Sequence, residues 1–80
     1  MDEISPFFYE NLLNGQMVIY IDRKYRFMAL VEVREFCSPQ KAYIPVVFRL
    51  IIEGSRSNFE VRSCHLVHRH YLLDPYAVAV

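Results

Sequence analysis

The 80-residue chain is predicted to be mostly β: a small antiparallel barrel of four or five strands, SH3- or Tudor-like, with a short N-terminal helix. Three observations carry this expectation. The apolar pattern from Met17 to about Cys64 has a period of two, polar turns interrupt it at short intervals, and the runs between are rich in β-branched and aromatic residues. An open antiparallel sheet with the helix across one face is the alternative. With 54 % apolar and 15 % aromatic residues and nine charges of each sign, the chain reads as one domain over 1–80 rather than a disordered tail.

Residues 1–16 predict an acidic start and a short helix. Ser5 suits the N-cap and Pro6 the first helical position, while Asn14-Gly15 supplies a stop. Phe7, Phe8, Leu12 and Leu13 give about two turns of apolar surface, too little for a stable isolated helix, so docking is expected. Residues 17–64 predict the β meander. Met17 to Ile21 forms a first strand and Asp22-Arg23-Lys24 a polar turn. Tyr25 to Phe36 forms a long second strand, with Phe27, Ala29, Val31 and Val33 opposed to Met28, Leu30, Glu32 and Arg34.

Cys37 to Lys41 reads as a turn because Pro39 stops a ladder. Tyr43 to Glu53 is a third strand, with Val46, Phe48, Leu50 and Ile52 expected on the core face and Val47, Arg49, Ile51 and Glu53 outside. Pro45 marks an edge, a bulge or the start of the strand. Gly54 to Asn58 is a hairpin loop, and Phe59 to about Cys64 a fourth strand. Residues 65–80 form a C-terminal segment in which His65 to Leu73 is either extended or a short helical turn. Asp74-Pro75 ends it, and Tyr76 to Val80 has the β propensity of a fifth strand.

The outer face is unusual. A sheet with one wet side alternates apolar with polar throughout. Here charges at Glu32, Arg34, Arg49, Glu53, Glu60 and Arg62 are mixed with Met28, Leu30, Val47 and Ile51, and the first strand is apolar on both sides. Leaving four such side chains in water forfeits about 1.5–3 kcal/mol each. The helix, the C-terminal tail or a second molecule should therefore cover them. The expected protein interface is Met28, Leu30, Val47, Arg49 and Ile51, on a non-catalytic interaction module that forms a homodimer and binds a protein partner. Arg49 suits the centre of such a patch because a guanidinium can stack and hydrogen-bond together.

Other chemistries are weaker. All nine basic residues fall within 22–70, where only five acids accompany them. Arg23, Lys24, Arg26, Arg34 and Arg62, with aromatic residues nearby, are the candidate nucleic-acid contacts. A solvated sheet surface of paired charges, such as Glu32/Arg34, Arg49/Glu53 and Glu60/Arg62, is the plainer reading. Cys64, His68 and His70 share strand parity and are the one candidate metal set, although no CxxC and no orienting acid accompany them. No cofactor is expected: glycine occurs only at 15 and 54, which excludes a phosphate-cradling loop. No catalytic residue stands out, and a site built at an oligomer interface is the remaining route to an enzyme. Apolar runs too short to span a bilayer, an acidic opening and only two cysteines point to a cytoplasmic protein without a membrane anchor.

Overall fold

The computed structural model describes residues 10–54 and 60–75. Its strands are β1 (Met17–Asp22), β2 (Phe27–Val33), β3 (Tyr43–Glu53), β4 (Cys64–His68) and β5 (Leu72–Leu73), with a 3₁₀ turn (Arg69–Tyr71) between the last two. All pair antiparallel in one sheet of order β4-β3-β2-β1-β5, curled into a half-barrel. The fold is thus mostly β and small-barrel-like. The chain leaves one edge strand, β4, crosses through the 3₁₀ turn, and supplies the other edge, β5. Among the described residues no helix is long and apolar enough to cross a membrane.

The core lies on the concave face. Val18 of β1, Phe27, Ala29, Val31 and Val33 of β2, Ile44, Val46 and Phe48 of β3, Val67 and Leu72 form one buried cluster. The β2 alternation is regular, odd positions buried and even positions half-buried, because successive side chains of a pleated strand point to opposite faces and only one face meets the core. Tyr20, Phe27 and Phe48 meet edge to face at ring separations of 5.4–6.1 Å, a geometry aromatic quadrupoles favour.

Four expectations need correction. Residues 10–16 are not helical. Leu12 forms a β-bridge with Cys37 through two reciprocal 2.8 Å hydrogen bonds, and Gly15 turns the chain at φ +90° before β1. A short helix has little stability of its own, whereas the bridge fully buries Leu12 and places Cys37, expected in a turn, in the core. Ser5 to Tyr9 of the predicted helix lie outside the described residues. The fourth strand begins at Cys64 instead of ending there, and residues 61–62 turn. The second strand is Phe27–Val33 and shorter than expected, because Tyr25 and Arg26 belong to the turn before it; Leu72–Leu73 forms an edge strand, and Tyr76 to Val80 lie outside the described residues.

The fourth correction concerns β3, whose bounds agree with expectation but whose parity does not hold along its length. Val31 pairs with Phe48 and Leu30 with Leu50, so Arg49 is an extra residue; Ile52 is skipped in the same way between Ile51 and Glu53. A bulge of this kind inserts one residue and reverses which face the following side chains occupy. Ile51 therefore turns to the core and packs against it, whereas Leu50 and Ile52 turn outward.

Candidate functional site

Three surfaces are built by this fold. The first is the outer face of the sheet. Register places Leu50, Leu30, Ile19 and Leu73 in one row across β3, β2, β1 and β5. The row is apolar from end to end. Ile19 is 8 % exposed, whereas Leu50 at 59 % and its neighbour Ile52 at 48 % stand in solvent. The next row carries Val47, Glu32 and Met17. Glu32 accepts from Arg49 (2.6 and 2.8 Å) and Arg34 (3.4 Å), so one carboxylate sits between two guanidinium groups beside the apolar row.

Of the expected interface residues, Met28, Leu30, Val47 and Arg49 lie on this outer face, and Ile51 does not. Leu50 and Ile52 replace it. No local signal in the sequence marks them, because the bulges that expose them arise from pairing with β2. Among the expected charge pairs, Glu32/Arg34 forms, and Arg49 pairs with Glu32 in place of Glu53. Glu60 and Arg62 flank and enter a turn instead of facing each other on a strand.

The second surface is an open groove of about 510 Å³ along the 3₁₀ turn. Tyr43 of β3, Leu66 and His68 of β4, and His70 and Tyr71 of the turn line it together with Tyr20 of β1. The rings form a chain of edge contacts: Tyr43 to His68 at 5.1 Å, His68 to His70 at 6.3 Å, His70 to Tyr71 at 5.6 Å and Tyr71 to Tyr20 at 5.8 Å. His68 Nδ1 accepts the backbone N–H of His70 at 3.0 Å and caps the turn. Burial, with the Asp22 carboxylate that accepts its hydroxyl, pushes the Tyr20 phenol up to about 12.

The third surface is the β1–β2 turn, Arg23-Lys24-Tyr25-Arg26, all four residues exposed. Asp22 Oδ1 accepts the N–H groups of Lys24 (3.1 Å) and Tyr25 (3.3 Å), which fixes the tip, and Arg26 takes the left-handed conformation at φ +54°. Lys24 Nζ lies 5.4 Å from the Tyr25 ring centroid. Of the expected nucleic-acid contacts, Arg23, Lys24 and Arg26 converge here, Arg34 is bound to Glu32, and Arg62 lies in the turn before β4.

Arg69 was missed by sequence reasoning. Only 2 % exposed, it donates from Nε to Lys41 O (3.0 Å) and from its terminal nitrogens to Glu10 O and Ser38 O, while its backbone N–H reaches Ala42 O. One side chain thereby ties the N-terminal segment and the β2–β3 loop to the 3₁₀ turn. Burial lowers its pKa from the ordinary guanidinium value and raises that of the Cys37 thiol, which the Glu35 carboxylate raises further. Cys64 is not brought into a ligand set with His68 and His70; among the described residues no three His, Cys, Asp or Glu side chains gather.

No protein-family model matches the chain, and no curated protein or solved structure resembles it at a significant level.

Proposed function

We propose that the protein is a non-catalytic interaction module that self-associates through the outer face of its sheet and presents the assembled particle to a protein partner. The row Leu50–Leu30–Ile19–Leu73 carries this reading, because its solvent-facing end at Leu50 and Ile52 forfeits burial that a second molecule would supply. A second copy of this chain suits the face because Glu32 stands between Arg34 and Arg49. A two-fold related copy therefore offers both signs of charge opposite both signs. The interface set is Met28, Leu30, Val47, Arg49, Leu50 and Ile52.

The finer fold assignment, an SH3- or Tudor-like barrel, is supported by the strand order and by the 3₁₀ turn preceding the last strand. Two free thiols, Cys64 exposed and Cys37 buried, suit a reducing cytoplasm. Light scattering on the eluting protein at micromolar concentration tests the assembly. Wild type should have the mass of two chains, and Leu50→Glu the mass of one with an unchanged circular-dichroism spectrum. A monomeric wild type, or a dimeric Leu50→Glu, overturns the reading.

A further inference from the structure

The aromatic groove and the basic tip are one continuous feature. A second hollow of about 240 Å³ shares His70 and Tyr71 with the groove and runs on past Leu73 to Arg23 and Lys24. A path therefore leads from Tyr43 along His68, His70 and Tyr71 to a turn bearing three cations within four residues. The tip differs from the outer face of the sheet in its pairing. Arg34 and Arg49 share the Glu32 carboxylate and Lys41 pairs with Glu35, but among the described residues no ion pair reaches Arg23, Lys24, Arg26 or Arg62. Two acids lie near. Asp22 lines the second hollow itself, its Oδ1 accepting the N–H groups of Lys24 and Tyr25, and Glu53 lines a further hollow with Arg23 and Arg26.

We propose that this groove and tip bind single-stranded nucleic acid, with bases against Tyr43, Tyr71 and Tyr25 and phosphates on Arg23, Lys24 and Arg26. Each nucleotide carries a planar ring and a negative charge, and this path offers exposed rings leading to cations that no described acid pairs, with Lys24 and Tyr25 already adjacent. Every base has a π-face, so such a surface holds a strand without reading its order. An acidic peptide satisfies the cations but makes no use of the rings. A duplex keeps its bases stacked away from them. The groove is built within one chain, so the inference is independent of self-association.

Fluorescence anisotropy with labelled oligo-dT and oligo-U, titrated in low salt, tests it. Wild type should bind both, with log K falling against log salt at a slope near −2, about 0.7 for each of three phosphates released. Replacing Arg23, Lys24 and Arg26 together by Gln should abolish binding. Tyr25→Ala, at a site 68 % exposed where folding is not at stake, should weaken it roughly ten-fold. Tyr43→Ala should do the same. Absence of binding in low salt overturns the proposal, as does retention by the triple variant. Indifference to both tyrosine changes, or equal affinity for poly-glutamate, also overturns it by reducing the tip to a generic polyanion contact.

Discussion

Within β3, residues 43–48 and 49–53 both run large apolar side chains in succession, although Arg49 and Glu53 bracket the second run. Ile44, Val46 and Phe48 are nevertheless buried, whereas Leu50 and Ile52 are exposed and only Ile51 packs inward. The difference is one of register. Up to Phe48 the strand keeps step with β2, and beyond it two extra residues, Arg49 and Ile52, are accommodated. Apolar character favours burial; the pairing partner decides whether a side chain meets its own core or stands on the outer face.

The widest separation between the two halves should come from truncation. Phe48→Ala is expected to cost about 3–5 kcal/mol of unfolding free energy. Leu50→Ala, measured at a dilution where the protein is monomeric, should cost no more than about 0.5 kcal/mol. Equal losses in urea titrations would break the comparison. Arg69→Met should cost about 3 kcal/mol, since three loop carbonyls lose a charged donor, and Arg69→Lys should not restore it because one ammonium cannot span the same fork.

Gly54, which closes the bulged half, has φ +112°, and a Cβ there would lie 2.5 Å from Arg26 O and 2.7 Å from Phe27 Cα. Gly54→Ala should therefore cost about 2 kcal/mol, and a neutral result would show that the end of β3 is looser than its geometry. The smallest effect is in pH. The folded state holds the Tyr20 proton up to about pH 12, whereas an unfolded tyrosine releases it near 10. Stability from this group is complete below pH 10 and declines as pH rises from 10 through 12. Thermal melts across that range should show the decline, and Tyr20→Phe should remove it.

The elements whose side chains face one partner were legible. Phe27, Ala29, Val31 and Val33 announce the core face of β2 by alternation alone, and the bounds of β3 follow from its composition. The faces of Leu50, Ile51 and Ile52 were not legible, because a bulge is a property of two strands and no residue within 49–53 encodes it by itself. The N-terminal segment misled for a related reason: its capping residues favour a helix locally, but Leu12 gains full burial and two hydrogen bonds at Cys37, 25 positions away. Arg69 stands between two histidines and reads as surface. Its burial depends on carbonyls at 10, 38 and 41 converging on it. Of the candidate sites, the basic tip was visible as a run, and the groove was not, since Tyr43 and Tyr71 come to line one hollow only when the sheet curls.

Methyl chemical shifts followed on dilution test the outer face most directly. If the shifted half of β3 holds a second copy, the methyl groups of Leu30, Leu50 and Ile52 should move together as concentration falls, while those of Ile44 and Val46 stay fixed. Dilution that leaves Leu50 and Ile52 unmoved, or that shifts a different set of residues, would contradict the account.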